Sequence, residues 1–220
     1  MADTRLLVVI GATGNQGGSV VEKYLDLPGW KIRGVTRNAN SDKAKKLAER
    51  GVEMVTASLD DTASLDTAFD GAHAIFLVSD FWGLYFDPSN AGKAAPGESL
   101  NVWAGNEETK QLITALNAAS RVSTLQRLVI SSLPHCTKWS GGKYTHVYHF
   151  DSKAKAVEYV ASSLPELWAK TSVFLAGLFL LNYTGVTRPN IVSILTDVER
   201  LGLSNMSLSR KTGQSSSPHL

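Results

Sequence analysis

The chain has 220 residues, 43% of them hydrophobic and 19% charged, enough for one sizeable domain with a true core and too few for two. With 22 basic against 20 acidic residues the net charge is only +2, which argues against a nucleic-acid surface or an acidic partner. The single cysteine, Cys136, can form no internal disulfide, no basic-then-apolar leader precedes the first apolar run, and no run approaches the roughly 20 residues that span a bilayer. The expectation is an α/β protein of a reducing compartment, the cytoplasm with the nucleus as a second location, and no membrane role.

Arg5–Ile10 is a short continuous apolar run, the pattern of a strand buried on both faces of a parallel sheet. A glycine loop follows at once, and Gly18–Leu27 reads as a helix ended by Pro28-Gly29. Lys31–Thr36 predicts a second strand, Ala44–Arg50 a helix closed by Gly51, and Val52–Ser58 a third strand. The rhythm continues with a helix at Thr62–Phe69, a strand at Ala74–Val78, a helix at Glu107–Ala119 and a strand at Leu128–Ser132. A helix at Lys153–Ser162 and a strand at Thr171–Phe174 complete it. Such alternation predicts a doubly wound parallel sheet, Rossmann-like, with strand order 3-2-1-4-5-6 and ligands at the carboxyl ends of the strands. Phe81–Val102 and Pro134–Phe150 read as long loops leaving the sheet at that end, where long loops tend to carry function.

The loop Gly11-Ala12-Thr13-Gly14-Asn15-Gln16-Gly17 sits between the first strand and the first helix, where a dinucleotide's pyrophosphate must be met without steric bulk. Gly11 allows the tight turn, Gly14 the approach of backbone to phosphate, and Gly17 the close packing of helix on sheet. An NAD-preferring site places an acidic residue at the end of the second strand, whereas an NADP site places a cation there. Here stands Thr36-Arg37-Asn38, so Arg37 is the expected ligand of a 2′-phosphate and NADP(H) the expected cofactor. No metal is expected, because the spacing of His135, Cys136, His146 and His149 matches no zinc pattern. Phe81, Trp82, Tyr85 and Phe86 either line a pocket or pack a loop on the core.

Gly11–Val20 (GATGNQGGSV), Val35–Asn38 (VTRN) and Phe150–Lys153 (FDSK) together resemble the NmrA-like proteins, an atypical branch of the short-chain dehydrogenase/reductases. The resemblance covers residues 5–183. It implies that the cofactor meets Gly11, Ala12, Thr13, Gly14, Asn15, Gln16, Arg37, Ser79, Asp80, Phe81 and Lys153, with Lys110 as a further cofactor-facing lysine. Active members of the wider superfamily carry a tyrosine four residues before the lysine, as the acid or base at the substrate oxygen. His149 holds that position here, and Tyr148 is one residue away, about 100° round a helix. The catalytic candidates are therefore Lys153, His149 as a general acid with an ordinary pKa near 6.5, and Ser132. Ser131 and Ser132 equally fit strand-end residues that cap backbone groups, and His149 equally fits a packed residue at a helix start.

The sequence divides into an NAD(P)-binding domain over 1–183 and an atypical tail over 184–220, since every Phe, Tyr and Trp lies before Thr184. In the tail, Asn190–Leu203 reads as an amphipathic helix and Met206–Leu220 as disordered. The family's smaller closing domain is expected to have no counterpart here, as in a piece of a longer protein or one with an altered C-terminal sequence. Two functions stay open. One is an NADP(H)-binding redox sensor acting through a regulatory protein partner; the other is an NADPH-dependent reductase of a small carbonyl or enone substrate without the Tyr-x-x-x-Lys dyad.

Overall fold

The first strand, β1 (Arg5–Ile10), alternates its side chains between two cores and so fixes the layering of the whole domain. Val8 and Ile10 join one apolar cluster, while Leu7 and Val9 join the other. This is why the run is continuously apolar: a strand with helices on both faces has no solvent side. The computed structural model describes residues 4–177.

The chain then runs α1 (Asn15–Leu25), β2 (Trp30–Thr36), α2 (Asp42–Glu49), β3 (Glu53–Thr56), α3 (Thr62–Phe69) and β4 (Ala74–Leu77). It continues with α4 (Phe81–Phe86), α5 (Leu100–Ser120), β5 (Arg127–Ser132), α6 (Cys136–Trp139), α7 (Tyr148–Ser163), α8 (Pro165–Trp168) and β6 (Thr171–Leu175). All six strands are parallel in the order β3-β2-β1-β4-β5-β6, the doubly wound Rossmann-like arrangement predicted from the sequence. Leu7 pairs with Ile32 and Ala74, and Ile75 with Leu128, so apolar residues stack across the centre of the sheet. One face is covered by α3, α5 and α7 through Leu65, Phe69, Leu112, Leu116 and Val160, and the other by α1 and α2 through Val21 and Leu47.

Three expectations about the loops and helix starts need correction. Residues 81–102 are not one open loop: Asp80 accepts a hydrogen bond from Gly83 N–H at 2.9 Å and caps α4. Aromatic residues and a glycine have modest helix propensity, which hid this turn. Helix α5 begins at Leu100 rather than Glu107, through a Gly105 that sequence reasoning treats as a weak helix former. Tyr148 of α7 packs over this position, where a Cβ would stand at an ordinary contact distance of 3.5 Å from Tyr148 Cβ. Helix α7 likewise starts at Tyr148, so the residues before Lys153 lie on a helix and not in a loop. The boundary at 183 and the tail over 184–220 lie outside the described residues.

Because Leu112 is fully buried in the cluster formed with α3 and α7, Leu112→Ala should lower the unfolding free energy by about 2–5 kcal/mol. Urea titration would read this as a lower midpoint at unchanged slope. A loss under about 1 kcal/mol would mean that α5 is not packed as described.

Candidate functional site

The carboxyl ends of β1 and β4 part at the switch point of the sheet, and the glycine loop fills the opening. Gly11 takes φ +67°, a conformation that side chains resist, and its N–H donates to Val35 O of β2 at 3.1 Å. Gly14 N–H donates back to Gly11 O at 2.8 Å, closing the turn. At Gly17 a Cβ would lie 2.2 Å from Gly11 O, so α1 can leave the strand at this angle only with glycine there. The N-cap is Gly14, which has no side chain to satisfy the first helical amides, and the first turn holds no acidic residue. A helix start left open in this way presents N–H groups and partial positive charge, the chemistry that holds a pyrophosphate. Ala12 is part of the core with Leu7 and Val9, while Gly14 and Asn15 are exposed. Gln16 reaches across to β5, where Ser131 Oγ donates to its Oε1 at 2.7 Å.

Arg37 follows the last residue of β2 and is exposed. The turn beneath it is fixed by Ala39 N–H donating to Thr56 Oγ1 at 3.2 Å and Asn40 N–H to Asn38 Oδ1 at 2.9 Å. No ion pair engages the Arg37 guanidinium among the described residues, which leaves its planar donors open to a phosphate.

Lys153 does not stand alone. Its Nζ pairs with Glu108 Oε1, and the Glu108 side chain is 0% exposed. Ser79 Oγ, just beyond β4, donates to the same oxygen at 2.7 Å, and Ser152 Oγ donates to Oε2. The carboxylate thus ties the end of β4 and the first turns of α7 to the middle of α5, and removing one partner of such a buried pair typically costs about 3–5 kcal/mol. Sequence reasoning passed over Glu108. A signal was present: Glu108 falls on the stripe of Gly105, Leu112 and Ala115, a charge on the apolar face of its helix.

Several other candidates are placed differently from their expectations. Lys110 is two positions from Glu108, about 200° round the helix, with its side chain 73% exposed and paired to Glu107 at 3.4 Å; it stands apart from the cluster. Ser132 is 1% exposed and its hydroxyl turns to Leu133 O at 3.4 Å, so it serves its own backbone. Asp80 spends its carboxylate on the α4 cap, and Phe81 is buried beside it. His149 packs against Trp82 with centroids 4.9 Å apart and against Phe81 at 5.7 Å. Burial, and next the Lys153 charge, push its pKa below the ordinary value against an opposing pull from Glu108. The imidazole is therefore largely neutral near pH 7, which corrects the expectation of an ordinary titration there. Burial and the Asp151 charge push the Cys136 thiol up, making it a poor thiolate.

The loop after β5 is held to α7 by Asp151. Its Oδ2 accepts from Thr137 Oγ1, and its Oδ1 accepts from Thr137 N–H at 3.3 Å and lies 3.2 Å from His135 Nδ1. Burial alone would raise this carboxyl, but the Thr137 hydrogen bonds, with His135 and Cys136 N–H, bring it below its usual range. Beside it lies a cavity of about 230 Å³, lined among others by Tyr148, Gly105, Thr145 and Lys155. Among the described residues there is no group of three His, Cys, Asp or Glu side chains able to hold a metal, and no helix long and apolar enough to cross a membrane.

A doubly wound sheet whose switch point holds a glycine-rich turn and an open helix start defines a Rossmann-like domain. A family model, the NmrA-like family, matches residues 3–205, and the chain belongs to that family. The match continues past residue 183. The NmrA-like family domain-containing oxidoreductase lnaB of Aspergillus flavus is 30% identical over 183 residues, which cover 83% of this chain and 49% of lnaB. Among solved structures, the negative transcriptional regulator NmrA in complex with NADP aligns with a TM-score of 0.61 at 22% identity, over 81% of this chain and 46% of NmrA. NmrA in complex with NAD aligns at 0.55 and 22%, over 74% and 43%. Triphenylmethane reductase of Citrobacter sp., complexed with NADP(H), aligns at 0.55 and 18%, over 82% and 51%. The chain thus spans about half the length of the relatives it matches.

The Asp151 carboxyl gives the fold an acid limb. Its folded pKa lies below the unfolded value of about 3.9, so its stabilisation is complete above pH 4 and is lost as pH falls through the folded pKa. Asp151→Asn should cost about 2 kcal/mol at pH 7 and much less at pH 2.5, as read by urea unfolding at the two pH values. An equal cost at both would remove the carboxylate from this role.

Proposed function

We propose that the chain binds NADP(H) and acts as a redox sensor, its cofactor occupancy setting its affinity for a regulatory protein partner. The observation that carries this reading is His149, which holds the position of the catalytic tyrosine but is packed among Phe81, Trp82 and Phe150 with a lowered pKa. A glycine loop and a lysine without the tyrosine that would act beside that lysine suit binding better than turnover. The amides of Asn15, Gln16 and Gly17 would hold the pyrophosphate, Arg37 the 2′-phosphate, and the two ammonium hydrogens that Lys153 does not spend on Glu108 the ribose hydroxyls. The nicotinamide ring supplies hydride chemistry when bound. Family membership and the NADP complexes of NmrA and triphenylmethane reductase support the nicotinamide cofactor; the exposed Arg37 at the end of β2 supports its phosphorylated form.

A second reading keeps the chemistry: the oxidoreductase name of lnaB and the retained Lys153 favour an NADPH-dependent reductase that takes its proton from water or substrate. Sustained NADPH oxidation with a carbonyl or enone, abolished in Lys153→Ala, would establish it over the sensor. For the sensor, linkage requires that a partner change cofactor affinity by the factor that cofactor changes partner affinity.

The cofactor itself is tested by calorimetric titration of NADPH, NADP⁺, NADH and NAD⁺. We expect the phosphorylated forms to bind about 10- to 100-fold tighter, and Arg37→Ala to erase the difference, since charge-assisted hydrogen bonds of this kind are worth about 1.5–3 kcal/mol. Tighter binding of NADH than NADPH would overturn the assignment of Arg37.

A further inference from the structure

We infer that Glu108 sets the relative affinity of this site for the oxidised and reduced forms of its cofactor, by cancelling the charge of Lys153. The inference rests on the proposed binding of NADP(H) and names how that site tells the two redox states apart. Glu108 is a positioning residue: it touches no ligand and acts through the lysine.

The oxidised cofactor carries one more positive charge than the reduced one, located on the nicotinamide ring. A lone buried ammonium would therefore favour the reduced form. In this chain the ammonium is not alone, because Glu108 pairs with it and is itself fully buried, where solvent screening is weak. The carboxylate is fixed by donors from two directions, Ser79 Oγ at 2.7 Å from the β4 side and Ser152 Oγ from α7. These donors hold it beside the lysine. Both charges act beyond their own contact: Lys153 lowers and Glu108 raises the pKa of His149, one helical turn before the lysine. A charge added nearby meets the same two opposing fields, so the pair presents a nearly neutral wall to the ring. The consequence is a sensor that binds the oxidised form without a penalty from its own lysine.

Glu108→Gln keeps the shape and removes the charge; its amide oxygen can face Lys153, and a serine hydroxyl can turn to accept from its NH₂. The measurement is the ratio Kd(NADP⁺)/Kd(NADPH) by calorimetry, with folding checked by circular dichroism. In Glu108→Gln the ratio should rise at least about tenfold, the effect of unit charges about 12 Å apart at an effective dielectric near 20, with a shorter separation giving more. A merely structural role would weaken both forms alike and leave the ratio in place. Should Glu108→Gln alone fail to fold, the double variant Glu108→Gln/Lys153→Met removes both charges and should keep the wild-type ratio within about twofold, because the pair it replaces is already nearly neutral. A ratio unchanged within twofold in Glu108→Gln, or one shifted tenfold in the double variant, overturns the inference while leaving NADP(H) binding intact; a wild-type chain that binds neither form removes both.

Discussion

A single buried carboxylate organises this site. Glu108 takes a charge and two hydroxyl donors into a place with no exposure to solvent, Ser79 from just beyond β4 and Ser152 and Lys153 together from α7. Burying a carboxylate is unfavourable unless its lone pairs are filled, so β4, α5 and α7 are held to one mutual arrangement by the need to fill them.

The sheet supplies the rigid frame for that arrangement. With β1 shared between two cores, the glycine loop at its end is fixed from both faces, and Gln16 adds a lateral tie to Ser131 at the end of β5. The open helix start, Arg37 and Lys153 are thus presented from β1, β2 and α7 without depending on the long connections between them.

Much of this was legible in the residues. The continuous apolar run of β1 marked a strand covered on both faces, and the alternation of strands with helices pointed to the six parallel strands and their order. The glycine loop was legible because its spacing encodes sterics that no other residue satisfies. What was not legible depends on partners distant in sequence. Lys153 was found by its motif, but Glu108, 45 positions earlier, is identified as its counter-ion only when α5 and α7 lie side by side. The start of α7 at Tyr148 was masked by an aromatic run of modest helix propensity. The lowered pKa of His149 comes from burial and then from the Lys153 charge, and the rings of Phe81 and Trp82 packed on it belong to a helix that reads as a loop.

Gly17 bears on how variants of the loop are to be understood. A methyl group there would overlap the Gly11 carbonyl of the same loop whether or not anything is bound, so the position is closed to every other amino acid by the protein's own backbone. Gly14 is less constrained, its added Cβ standing 3.2 Å from that carbonyl. Loss of ligand in a Gly17 variant would accordingly report a displaced α1, whereas loss in a Gly14 variant would report on the space the phosphates need.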